Sequence, residues 1–111
     1  MTLTTELPTT ITRGFTISTK FLGPTNTRGS RVKAIYKRDN ERTWTATIHW
    51  SHACDAEQNH RNAAQELLND LNEDRRLFFK SISAPAEEAG TFEIVAQGWD
   101  ADNYYFLAAQ V

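Results

Sequence analysis

The sequence predicts an α+β domain: a mainly antiparallel β-sheet with one α-helix packed on one face, in the order βββαβββ. Two hydrophobic periods coexist in its 111 residues. Apolar residues alternate with polar ones through 11–22, 30–38 and 42–50, and recur at helical spacing between Ala56 and Leu71. Short turn-forming segments join the strand-like stretches except where the helix intervenes, which favours antiparallel neighbours. Hydrophobic residues make up 40% and aromatic residues 11%, enough for a packed core, so the chain is a folded domain and not a disordered one.

Residues 1–10, rich in threonine, are expected to form a flexible N-terminal tail, leaving 11–111 as a single domain. In the first strand Phe15, Ile17, Thr19 and Phe21 share one face, and Gly23-Pro24 ends it, because proline fixes φ and lacks a donor. The loop 23–29 follows, with Asn26 and Gly29 as the residues suited to positive φ. In the second strand Val32, Ala34 and Tyr36 oppose Arg31, Lys33, Ile35 and Lys37. Asp39-Asn40-Glu41 reads as a hairpin turn. The third strand, Arg42–Trp50, has the clearest alternation, with Trp44, Ala46, Ile48 and Trp50 inward. Trp44, Ile48 and Trp50 are expected among the most buried side chains, facing Leu67 and Leu71.

Asp55 is a good N-cap, with Gln58 three residues on. The helix is expected to fade at Asn69–Asn72, since Asn and Asp prefer caps and turns. Leu77–Ser83 then reads as a strand and Ala84–Gly90 as a solvated loop. Thr91–Gln97 and Tyr104–Gln110 form a final hairpin. An apolar edge at Tyr104–Val111 makes a homodimer possible.

The chemistry concentrates in Thr19–Lys33. Lys20, Asn26, Arg28, Ser30, Arg31 and Lys33 form a polar, cationic constellation carried on a loop between two strands. Arginine presents a planar fork of donors that suits phosphate or carboxylate. The pattern is neither a Walker loop nor a dinucleotide fingerprint, so it indicates an anion without naming one. A tight hairpin with a soluble tip explains the same composition. A second constellation, His49, Trp50, His52, Cys54, Asp55, Asn59 and His60, lies where the third strand turns into the helix. His52 and Asn59 can donate to the ligand of the arginine loop, beside a helix N-terminus that attracts anions. The spacing of His52, Cys54 and His60 fits no standard zinc pattern, and no metal or other cofactor is expected. His60 reads instead as a helix residue at the edge of the apolar face. Asp100-Ala-Asp-Asn103 lacks the glycine and glutamate of a calcium loop and is read as a turn. No nucleophile–base or paired-carboxylate pattern stands out, so no enzymatic activity is expected.

Net charge is −2, unevenly placed: eight basic and three acidic residues in 1–43, four and eleven in 44–111. Two outcomes are open, a two-faced surface or charges that interleave in space. The overall balance argues against general DNA binding, which calls for a strongly basic protein, and is too small for DNA mimicry. The single cysteine, Cys54, excludes an intrachain disulfide and suits a reducing compartment. No apolar run approaches a membrane span, and residues 1–10 lack a basic and apolar leader. The expected location is the cytoplasm of a host cell, with no membrane partner.

The run T-K-F-L-G-P-T-N-T-R-G-S-R-V-K-A (Thr19–Ala34), with W-S-H-A (Trp50–Ala53) and N-H-R-N-A-A (Asn59–Ala64), resembles a family of short uncharacterised proteins from bacterial, phage and plasmid genomes. The resemblance covers roughly Thr19 to Leu68, and the first motif is the specific one. It implies no activity. It does imply a phage or mobile-element accessory protein, of the kind that binds and inhibits a host or defence-system protein. The alternative is a sponge-like binder of a phosphate-bearing ligand, a nucleotide or nucleic acid, at the Arg28/Arg31/Lys33 face.

Overall fold

A computed structural model describes residues 12–111. Five strands, β1 (Phe15–Leu22), β2 (Arg31–Lys37), β3 (Thr43–His49), β4 (Phe92–Trp99) and β5 (Tyr104–Gln110), form one sheet in the order β3-β2-β1-β5-β4. Every neighbouring pair is antiparallel. One helix, α1 (Ala56–Ser81), covers one face, and a short 3₁₀ turn, Ala86–Ala89, leads into β4. This is the expected α+β architecture with one strand fewer, in the order βββαββ. The expected tail, residues 1–10, lies outside the described residues.

Side-chain alternation sets which face is covered. Ile17 of β1, Val32 and Ala34 of β2, and Phe106 and Ala108 of β5 are fully buried against Ala63, Ala64, Leu67 and Leu68 of α1. Alanines at 63 and 64 bring the helix close, and the larger side chains fill the space beside them. Trp44, Ile48 and Trp50 take the expected inward face but are only partly buried. The reason is the sheet order: β3 is an edge strand, reached by the margin of the helix and not its centre. The most buried large side chains are Phe106, Ile17, Leu67 and Leu68.

The helix departs from expectation at its C-terminal half. It does not fade at Asn69–Asn72, and Leu77–Ser81 is helix and not strand. Asn69 Oδ1 accepts from Gln65 Nε2 one turn back. Asn72 forms a paired contact with the backbone of Phe92, donating to its carbonyl at 3.1 Å and accepting from its N–H at 2.9 Å. These contacts outweigh the weak helix propensity of asparagine, a difference of about 0.7 kcal/mol at most per residue. The stop is a Schellman-type cap: Ser83 N–H donates to the Lys80 carbonyl and Ala84 N–H to that of Phe79. Ser83 takes the left-handed φ of 60° that glycine usually supplies, so no glycine marked the end.

The expected hairpin turns are present. Asp39 Oδ1 accepts from the backbone N–H of Glu41 and Arg42, both at 2.8 Å. Asp100 Oδ1 accepts likewise from Asp102 and Asn103, while Tyr105 Oη donates to Asp100 Oδ2. These bonds hold the Asp39 and Asp100 carboxyls below their usual range. The last strand is not an edge: β5 lies between β1 and β4, and the edges are β3 and β4. Among the described residues, no helix is long and apolar enough to cross a membrane.

Candidate functional site

The face of the sheet turned away from α1 carries the cations. With Val32 and Ala34 buried under the helix, Arg31, Lys33 and Lys37 of β2 point the other way, as does Lys20 of β1, which neighbours buried Thr19. The registers then bring them together. Lys20 pairs directly with Lys33, and on the other side Lys33 pairs with Thr47 and Arg31 with His49. Side chains directly opposite on neighbouring strands stand about 4.5–5.5 Å apart at Cβ, and like charges so placed are destabilising. Among the described residues, the ion pairs are Arg61–Glu57 and Arg76–Glu73, both on α1, so no carboxylate offsets the Lys20–Lys33 pair. Arg31 is partly buried, and its Nε is shielded from solvent with no acceptor. A guanidinium drawn out of water gains more from an anion than a solvated one.

The β1–β2 loop stands at one end of this face. Thr25 organises it: its N–H donates to the Arg28 carbonyl at 2.7 Å, and its Oγ1 accepts from the N–H of Arg28 at 3.0 Å and of Thr27 at 3.4 Å. This closed turn leaves the side chains of Asn26 and Arg28 in solvent. Asn26 and Gly29, suited to positive φ, do not adopt it; among the described residues Ser83 and Gly90 do. Ser30 is partly buried, and its carbonyl accepts from Trp50 N–H at 3.0 Å, tying the loop to the segment between β3 and α1. His52 is exposed on that segment.

Asn59 does not belong with the ligand-facing residues. It is 1% exposed, and its amide is spent internally. Its Oδ1 accepts from Ser51 N–H at 2.8 Å, and its Nδ2 donates to the carbonyls of Ser51, Cys54 and Asp55. Asn59 therefore fastens the turn 51–55 onto the first turn of the helix, whose cap is the expected Asp55, accepting from Gln58 N–H.

His60 lies in the core, as expected of a helix residue at the apolar edge. Its Nδ1 is hydrogen-bonded to Thr19 Oγ1 at 2.7 Å, and its ring stacks on Tyr104 with centroids 4.3 Å apart. Burial pushes its pKa below the usual histidine value, because the charged form loses water. The native state thus disfavours protonation, so stability is complete above about pH 6.5 and declines as the unfolded chain takes up a proton below it. His60→Gln keeps a polar partner for Thr19 and does not titrate. Urea unfolding at about pH 7.5 and 5.5 should show a loss of stability in the parent that is smaller in the variant. An equal loss in both would assign the pH dependence elsewhere.

The structure thus brings Lys20, Arg31 and Lys33 onto one surface with Thr47 and His49, and sets Arg28 and Asn26 at the tip of the loop beyond it. Thr47 and His49 were legible as partners, since counting outwards equally from Asn40 pairs 33 with 47 and 31 with 49. Ammonium, guanidinium, imidazole and hydroxyl groups on one open face are hydrogen-bond donors of the kind that suit an anion. No family model matches the chain, and neither a curated protein nor a solved structure matches it.

Proposed function

We propose that this chain is a non-catalytic binding protein that captures a phosphate-bearing ligand, a nucleotide or a nucleic-acid strand, on the open face of its sheet. Lys20, Arg31 and Lys33 contact the phosphate oxygens, and Arg28 reaches in from the loop tip. The observation that carries the reading is the Lys20–Lys33 pair across β1 and β2, which no carboxylate among the described residues relieves. Such a pair costs stability in the free protein, and an anion bridging both ammonium groups removes that cost.

The test measures stability and binding on the same variants, with labelled single-stranded oligonucleotides and free nucleotides as probes. Lys33→Glu should abolish binding and raise stability by about 0.2–1 kcal/mol, as a like-charge pair becomes an opposite-charge one. Arg31→Ala should weaken binding by about 1.5–3 kcal/mol. Affinity should also fall with salt. Unchanged binding in both variants would end the proposal.

The residues of the specific motif, Thr19–Ala34, are also those that build this face. That coincidence supports a second reading, a mobile-element accessory protein that uses the same cations to occupy an acidic surface of a host or defence-system protein. There, nucleotides and oligonucleotides fail to bind, while a complex with the host protein is lost in Lys33→Glu.

A further inference from the structure

The helix outruns the sheet. Its 26 residues extend about 39 Å, whereas strands of seven or eight residues span about 23–27 Å. Between its C-terminal turns and the sheet lies a groove of about 830 Å³, a size that suits a small-molecule site. Its floor is a row of aromatic rings. Trp44 and Tyr36 are direct partners on β3 and β2, Tyr36 meets Phe15 of β1 with centroids 4.5 Å apart, and Phe15 meets Phe92 of β4 at 5.1 Å. Where β5 crosses this row it places Ala108 opposite Phe15, small enough for Phe15 and Phe92 to touch over it. From β3 to β4 the row crosses four strand spacings, about 19 Å. Phe78 and Phe79 of α1 wall the other side, and Phe78 is 57% exposed.

Two cations stand at the β3 end of this row. Arg38 N–H donates to the Arg42 carbonyl at 3.0 Å, extending the ladder one step past Lys37 and Thr43. Side-chain alternation then puts Arg38 and Arg42 opposite each other on the face of Tyr36 and Trp44, and both line the groove. Like charges so placed are destabilising. Neither arginine is ion-paired among the described residues. The Asp39 carboxylate accepts from the N–H groups of its own turn, and Asp74, the acid in the lining, lies beyond ion-pair distance of both. Arg75, the third arginine, is committed to the fold: it donates to the Ala89 carbonyl at 2.6 Å and lies over the Phe79 and Phe92 rings.

We infer that this groove binds an amphipathic anion, a long-chain carboxylate whose tail lies along the aromatic row and whose head sits between Arg38 and Arg42. Each part of the ligand answers a feature of the groove. The row is long and carries no charge along its floor, so what covers it is extended and apolar. The arginine pair at its end offers two forks of donors, which match the two oxygens of a carboxylate and lose their mutual repulsion to it. A small anion without a tail leaves the aromatic row in water, and an uncharged chain leaves the arginines unrelieved. The groove lies on the helix side of the sheet, so it is independent of the Lys20–Lys33 face.

Isothermal titration calorimetry of the full chain tests this with laurate and dodecyltrimethylammonium, two probes with the same tail and opposite heads, below micelle-forming concentrations. Laurate should saturate at one per chain and bind about tenfold more tightly than the cation. Arg38→Gln and Arg42→Gln should each weaken laurate about fivefold; both side chains are exposed, so the fold tolerates the change. Asp74→Asn should tighten it about twofold, by removing the one negative charge in the lining. Lys37→Gln removes the same charge next to Arg38 but on the opposite face, and should leave laurate binding unchanged. Equal affinity for the two heads would reduce the groove to exposed apolar surface and overturn the inference. So would laurate binding that does not saturate, or a loss in Lys37→Gln as large as in the arginine variants.

Discussion

Phe106→Ala should lower the free energy of unfolding by about 3–5 kcal/mol, the cost of emptying an aromatic site in a close-packed core. Phe106 is fully buried in β5, opposite Ile17 across the ladder, in one cluster with Val32, Leu67 and Leu68. The small residues Ala63, Ala64 and Ala108 belong to the same cluster. They cannot lean into the space, so most of the cavity persists. The measurement is the midpoint and slope of urea unfolding, with Trp99→Ala as the comparison. Trp99 is 70% exposed, and its removal should cost less than about 1 kcal/mol. Equal losses at the two positions would show that Phe106 is not the centre of the core.

Asn59→Ala should cost about 2–3 kcal/mol, although it removes a polar side chain of modest size. The substitution strips the acceptor from Ser51 N–H and the donor from the carbonyls of Ser51, Cys54 and Asp55, in a place water reaches poorly. Partly buried backbone groups left without partners account for the loss. Asn59→Asp preserves the shape and the acceptor but turns the donating end into an oxygen facing three carbonyls. It should be no better than alanine at neutral pH. An Asp variant as stable as the parent would show that Asn59 acts through its volume and not its hydrogen bonds. Because these bonds fasten the turn 51–55 to the helix, the alanine variant should also speed amide exchange at Ser51–Asp55 before the sheet opens.

The open-face cations were legible in the sequence because a strand alternates. With Val32, Ala34 and Tyr36 inward, Arg31, Lys33 and Lys37 had one direction left, and the turn at Asp39–Glu41 set their partners on β3. Asn59 was misplaced for the opposite reason. A polar residue in the first turn of a helix reads as solvent-facing or ligand-facing, and only the path of residues 51–55 over its side chain makes it internal. Thr25, and not Asn26, closes the β1–β2 loop; hydroxyl and amide side chains both close turns, and local sequence does not choose between them.

Short stretches of sequence suffice for the local elements: the inward faces of β1, β2 and β3, the start of α1 at Asp55, and the final hairpin across Asp100–Asn103. Those follow from short-range physics, since side-chain period, capping hydrogen bonds and turn chemistry act within a few residues. Long-range packing is what inserts β5 beside β1, carries α1 through Asn69 and Asn72 to Ser81, and leaves Trp44 and Trp50 at the rim of the core. Each of these depends on a partner far along the chain. β5 pairs with residues some 90 positions earlier, so nothing near it in sequence records the choice. Asn72 remains helical because Phe92, twenty residues on, takes up both ends of its amide. The tryptophans are half-covered because a single helix is too narrow to shelter the edge of a five-stranded sheet.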